Sequence, residues 1–267
     1  EVGNMIFRMC FMDDFQGDVQ ARFVKNELKY AKAAVLYDQA QAYSKGLAEY
    51  FEKSFVAAGG TVVTKQAYDK GNTDVSAQLQ TIKGSGAEVI VMPGYYTDVG
   101  TIANQARKLG ITAPFFGGDG WESPKLVEIG GEALNGSYYS NHYAVDEGRP
   151  EVAAFVAKYQ AKYGQVPDSL AALGYDAMKL LAGAMERSAS LDGKVLRDAI
   201  AATKDFPGVT GVLTFDEGRN AKKAVAILQV KDGKTVFVKS IAPDGAPAAP
   251  TAPTAAPSRS FRSRAAS

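Results

Sequence analysis

The sequence predicts an α/β protein: a doubly wound lobe on a parallel sheet, joined to an incomplete second lobe made mostly of helices. Three observations predict it. Short apolar runs of strand length alternate with amphipathic helical patterns from residue 32 to about residue 143, the pattern of a parallel sheet covered on both faces. Three helical patterns then follow, at 150–163, 169–188 and 194–203, with no convincing strand among them. Strand-like segments resume at 211–215 and 225–231, and Lys231-Asp232-Gly233-Lys234 reads as a hairpin turn into 235–239.

Taken in order, residues 32–37 (KAAVLY) form a compact apolar strand. A helix follows over 43–58, with Leu47, Tyr50, Phe51, Phe55 and Val56 at helical spacing and a Gly59-Gly60 stop. Residues 61–63 are β-branched enough for a second strand, and 75–83 place Val75, Leu79 and Ile82 on one helical face. Residues 87–92 (AEVIVM) read as a buried strand, and 97–109 as a helix closed by Gly110. A short strand at 114–116 precedes Ser123-Pro124, a helix start, because proline costs nothing at the first helical position. With 136–140 this makes five strands, one complete lobe. The three later helices carry apolar faces (Val152, Phe155, Val156 and Tyr159; Leu173, Met178, Leu181 and Met185) that need cover. Their own sheet is missing from the pattern.

Composition narrows the function. At 46% hydrophobic and 22% charged residues the chain can bury a core. Its net charge is +1, with acids and bases interleaved, so no basic field for nucleic acid exists. Cys10 is the only cysteine, which rules out an intramolecular disulfide. No apolar run approaches the length of a membrane span. The N-terminal residues have neither a basic nor an apolar stretch of a signal peptide, so the chain is expected to begin partway through a longer parent. From residue 243 an Ala/Pro/Ser/Arg tail is expected to be disordered.

No phosphate-binding glycine loop, dinucleotide fingerprint or nucleophile elbow is present. The single histidine, His142, cannot build a multi-histidine metal site, and without a serine or cysteine motif to serve it reads as structural. No catalytic residue, metal or cofactor is expected. What stands out are groups at the carboxyl ends of strands, where open parallel sheets bind ligands. Tyr43 follows the first strand, Tyr95 and Tyr96 follow Pro93-Gly94, and Asp119 stands in Gly117-Gly118-Asp119-Gly120. An acid among tyrosine rings suits a compact ammonium group. Singly, each residue reads equally well as core or turn; together, the site reading is favoured.

At these residues a family resemblance appears. Phe7-Arg8, Asp13-Asp14-Phe15-Gln16-Gly17, Tyr43-Ser44-Lys45-Gly46-Leu47, Asp74-Val75-Ser76-Ala77-Gln78-Leu79, Pro93-Gly94-Tyr95-Tyr96, Gly117-Gly118-Asp119-Gly120-Trp121 and Leu173-Gly174-Tyr175-Asp176-Ala177 run in family order. The chain resembles the leucine/isoleucine/valine-binding proteins of branched-chain amino-acid ABC transporters, with the type I periplasmic-binding-protein fold, over roughly its first 238 residues.

The resemblance implies two lobes closing over a free amino acid. Tyr43 and Tyr95 would line the cleft, and Asp119 would take the place of the family's acidic ammonium-binding residue, often a glutamate. Tyr96, Trp121 and Tyr175 are weaker candidates. A family cleft tyrosine falls near Leu170, where this chain has leucine. The family's grip on the α-carboxylate belongs to residues ahead of this chain, so a half-built cleft and an exposed apolar face are expected.

The implied organisation is 1–12 as the end of the N-terminal lobe and crossover, 13–143 as the C-terminal ligand-binding lobe, and 144–223 as a partial N-terminal lobe. Residues 224–242 return to the C-terminal lobe, ahead of the tail at 243–267. Hinges are expected near 11–13, 142–144 and 221–224. The implied function is extracytoplasmic capture of an aliphatic L-amino acid for ABC permease subunits, without catalysis, nucleic acid or membrane insertion. The alternative is a ligand-sensing module of an amide or amino-acid regulator or receptor, which a helix-turn-helix or a membrane span would favour.

Overall fold

The computed structural model describes residues 3–69, 71 and 74–243, so the expected tail lies, from residue 244, outside the described residues. The chain enters through α1 (Asp13–Arg22), which runs on into a single π turn at Phe23–Glu27. Alternation follows: β1 (Lys32–Asp38), α2 (Ala42–Ala57), β2 (Thr61–Tyr68), α3 (Ser76–Gly84), β3 (Val89–Val91), α4 (Tyr96–Lys108), β4 (Phe115–Gly117), α5 (Pro124–Gly130) and β5 (Tyr138–Asn141). Three helices come next, α6 (Pro150–Tyr163), α7 (Ser169–Arg187) and α8 (Gly193–Ala201). The strands β6 (Phe206–Gly208), β7 (Gly211–Phe215), β8 (Ala221–Lys222), β9 (Val225–Lys231) and β10 (Lys234–Ile241) complete the described elements.

Among the described residues, seven strands form one sheet in the order β10-β9-β5-β4-β3-β1-β2. The first five strands pair in parallel, while β9 and β10 run antiparallel along one edge. The order 2-1-3-4-5 reverses between β1 and β3, and such a switch point opens a crevice at the carboxyl ends of the strands. One apolar layer, with Leu36, Ile90, Phe115 and Leu228, packs under α3 to α5. The other, with Val35, Val91, Phe116 and Ile227, packs under α1 and α2. Both sheet faces are covered, which explains why β1 and β3 read as continuous apolar runs. The β9–β10 turn places Asp232 and Gly233 at φ 50 and 70, the left-handed pair of a type I′ hairpin.

Two elements depart from the sequence reading. The expectation that the three helices lack any strand of their own is corrected: β6, β7 and β8 form a small antiparallel sheet beside them. Leu180 of α7 packs with Leu213, Phe215 and Ala221 of this sheet. The second departure is α1, a helix without an apolar stripe, because its buried face carries Gln16 and Gln20, both 0% exposed. Their amides bond to Ser140 Oγ at 3.0 and 2.9 Å, and Gln20 also reaches the Gly117 carbonyl at 3.0 Å. Hydrogen bonds thus join the burial of Val19 and Ala21 in holding this helix to the sheet.

The helical part is tied together by a buried polar knot. Asp176 of α7 accepts bonds from the amides of Val209 and Thr210 and from Thr210 Oγ1, each 2.8 Å long. Lys223 Nζ, fully enclosed, donates to the same Thr210 hydroxyl at 2.7 Å. Burial pulls the Lys223 ammonium down to about 7, against the attraction of Asp176. This part also leaves apolar side chains open: Met178 and Met185 of α7 and Val195 of α8 are 64, 40 and 38% exposed, and Leu170, at the pocket rim, is 75% exposed. Three passages of chain cross between the two parts side by side. The rings of Phe11 and His142 lie 4.0 Å apart, and Lys223 Nζ sits 6.0 Å from the Phe11 centroid.

Candidate functional site

At the switch point, Tyr43, Tyr95, Tyr96, Asp119, Gly120, Glu122, His142, Asp168, Ser169 and Leu170 enclose a pocket of about 320 Å³. The loop that carries Asp119 is fixed from beneath. Phe115–Gly117 ends the strand, and a single 3-10 turn, Asp119–Trp121, follows. Trp121 is fully buried, and its indole N–H reaches the Met92 carbonyl at 3.1 Å. This corrects the candidacy of Trp121 as a ligand contact: its ring fills the core below the turn, so Asp119 on the other side is presented to the pocket. A side chain at Gly117 would collide with the Trp121 ring, and one at Gly120 would stand 2.6 Å from the Gly94 carbonyl.

Asp119 is the centre of the site. Its Oδ1 accepts from Tyr43 OH at 2.8 Å and from Gln16 Nε2 at 3.0 Å, and its Oδ2 lies 3.1 Å from His142 Nε2. Tyr43 OH in turn accepts from the Gly120 amide at 3.2 Å. Burial lowers the His142 imidazole to about 4, with only partial rescue by Asp119. The ring is therefore neutral and donates from Nε2. Burial and the Asp119 charge both raise the Tyr43 phenol well above its ordinary value, so it too keeps its proton. For Asp119, burial opposes ionisation, but the bonds from His142, Gln16 and Tyr43 outweigh it and hold the carboxyl below its usual range. No lysine or arginine is among the residues lining the pocket. The result is a carboxylate oriented by the bonds from His142, Gln16 and Tyr43, with a side chain 28% exposed.

Aromatic walls flank it. The Tyr43 and Tyr95 rings stand 5.6 Å apart at 40°, and Tyr96 joins the lining. Opposite them come Asp168, Ser169 and Leu170 at the start of α7. Tyr175, the remaining candidate, is one turn further along α7 and outside the lining; its ring packs on Phe155, centroids 4.9 Å apart. Glu122, Gln16, His142, Ser169 and Asp168 belong to the site but not to the candidates. A sign of Glu122 existed in the sequence, a second acid three residues after Asp119 and just before the Ser123-Pro124 helix start.

The position of Tyr43 depends on Gly118. A methyl group there would overlap the Tyr43 hydroxyl and lie 2.7 Å from Leu47 Cδ2. Gly118→Ala is expected to displace the phenol from Asp119 and to cost about 1–3 kcal/mol of stability through overpacking. Thermal unfolding gives the cost, and the loss of the Tyr43 hydrogen bond would appear as a lowered phenol pKa in ultraviolet titration.

A carboxylate on a switch-point crevice is placed where open parallel sheets hold small ligands. The chain belongs to the periplasmic binding protein family, whose model matches residues 2–235. Among curated relatives, a Leu/Ile/Val-binding protein homolog 3 from Brucella melitensis is 30% identical over 234 residues, 86% of this chain and 62% of the relative. The chain thus spans less than two thirds of that relative. Among solved structures, a leucine-binding protein, LivK, from Thermotoga maritima superposes with TM-score 0.85 at 37% identity, covering 91% of this chain and 70% of that one. LivJ from Streptococcus pneumoniae, a branched-chain amino-acid transporter substrate-binding protein in complex with isoleucine, gives 0.79 at 34% identity, with 87% and 66% covered.

Proposed function

We propose that this chain supplies the ammonium-binding wall of a cleft that captures an aliphatic L-amino acid outside the cytoplasm for an ABC importer. The observation that carries the reading is Asp119 itself, an acid held by Tyr43, Gln16 and His142 in a pocket whose lining has no lysine or arginine. A zwitterion's α-ammonium completes that arrangement. Tyr43 and Tyr95 offer ring faces to the cation, and the aliphatic side chain lies toward Tyr96 and Leu170. The curated relative and the two solved relatives, named for leucine and other branched-chain amino acids or holding isoleucine, support the ligand class. Among the described residues no helix is long and apolar enough to cross a membrane. Binding requires no bond-breaking step, and no catalytic role is assigned. The passages near Phe11, His142 and Lys223 act as the hinge between lobes.

Thermal denaturation against a panel of amino acids tests this. Leucine, isoleucine or valine raises the melting temperature, and the matching carboxylic acids without an amino group do not. A shift with the amine-free acids and none with the amino acids would overturn the reading.

A further inference from the structure

The ammonium reading leaves a second pocket carboxylate unused. Glu122 Oε1 accepts the Ser169 amide at 2.9 Å, and Oε2 accepts from Asn141 Nδ2. Asn141 is anchored in turn, its Nδ2 on the Tyr143 carbonyl at 3.2 Å and its Oδ1 on the His142 amide at 2.8 Å. Glu122 follows the turn after β4 and Asn141 ends β5, whereas Ser169 opens α7 in the helical part. The first turn of a helix carries amides with no partner inside the helix. Here Asp168 caps the Ala171 amide at 2.7 Å, and the amide of Ser169 donates to Glu122. Leu170 is the next residue, and it lines the pocket together with Tyr95 and Asp119.

We propose that Glu122 is a positioning residue of the cleft: by holding the Ser169 amide, it sets how far the Leu170 wall stands from Asp119, and so the size of side chain the cleft accepts. This rests on the amino-acid reading above. Both Glu122 oxygens are engaged by groups of the protein itself, the Ser169 amide and the Asn141 amide. Its distance from Leu170 along the fold is short, one hydrogen bond and one residue, so a displacement at Glu122 passes to the wall with little loss. Around it stand Asp119 and His142 from the pocket floor, Asp168 from α7, and the phenols of Tyr139 and Tyr143 from β5 and its continuation. Burial chiefly, with the charges of Asp168 and Asp119, pushes the Glu122 carboxyl up to about 7, against the Ser169 hydrogen bond. Since the folded value lies above the ordinary 4.5, the folded chain holds this proton longer than the unfolded one. The stability contributed at this site therefore falls as pH rises from about 4.5 to about 7.

Two measurements decide the matter. In the ligand-free, nitrogen-15-labelled chain, the Ser169 amide resonance should titrate between pH 5 and 9, with a midpoint near the value for Glu122, about 7. Glu122→Gln keeps an acceptor for that amide and should abolish the inflection in a chain that circular dichroism shows folded. An inflection that survives the substitution, or none in the parent chain, overturns the tie. Calorimetry then compares leucine with alanine: Glu122→Ala should change the affinity ratio by roughly tenfold, the discrimination a wall gives over a methylene or so. Leu170→Ala should move it in the same direction. An unchanged ratio in Glu122→Ala overturns the selectivity role. If the parent chain binds no amino acid, the functional reading fails by itself, and the amide titration still decides whether Glu122 holds α7.

Discussion

Asp119→Asn should weaken amino-acid capture by about a hundredfold or more, the usual consequence of removing one partner of a desolvated charge pair. The substitution is nearly isosteric, so the loss reports charge and not shape. Three donors converge on the carboxylate, from Tyr43, Gln16 and His142. An asparagine oxygen can accept the first two, but its amide then faces the His142 Nε2 hydrogen. The imidazole must move its proton to Nδ1, which has no hydrogen-bond partner among the described residues. The fold should tolerate this exchange with a small change in melting temperature, while the ammonium loses its counter-charge. Titration calorimetry with leucine checks the first part and differential scanning calorimetry the second. Asp119→Glu keeps the charge on a longer stem and should retain binding better than asparagine does. Equal affinity in parent and Asp119→Asn would remove the electrostatic basis of the proposed function.

Asp176→Ala should have the largest effect on stability, about 3–5 kcal/mol, the range for leaving a buried charge or its donors without a partner. The carboxylate is 1% exposed and satisfies two backbone amides and one hydroxyl of the segment that leads into β7. Its removal also leaves the Lys223 ammonium inside the protein without the attraction of Asp176, still bonded to Thr210 Oγ1 at 2.7 Å. For a domain of this size the loss corresponds to a fall of roughly 10 °C in melting temperature. Adding Lys223→Met should restore part of it, because the orphaned cation is removed along with its cost. Urea denaturation of the two single variants and the double variant measures the coupling. Additive losses would mean that Asp176 and Lys223 do not share one network.

Much of the lobe was legible because its physics is local. The runs at β1 and β3 are apolar on both faces, α2 and α4 repeat at helical spacing, and Asp232-Gly233 marks its own turn. The pocket's Tyr43, Tyr95 and Asp119 were readable for the same reason, each standing just after a strand. The structure brings these three together in one lining with Tyr96, and it leaves out Trp121 and Tyr175. Trp121 was illegible in orientation because an indole suits a core as well as a cleft. The helix α1 was missed because glutamines on its buried face mimic a solvated surface. Strands β6 and β8 were missed because three residues with a proline, and two residues, carry no periodicity. Glu122 and His142 gain their meaning from Ser169 and Asp119, 47 and 23 residues away in sequence. A partner set at that distance is decided by tertiary packing and leaves no spacing to read.

Phe11, His142 and Lys223 meet where three passages of chain run side by side. The imidazole at that crossing also reaches Asp119, with Nε2 3.1 Å from Oδ2. Any shift of one strap against its neighbours would therefore be felt at the pocket's carboxylate through a single hydrogen bond.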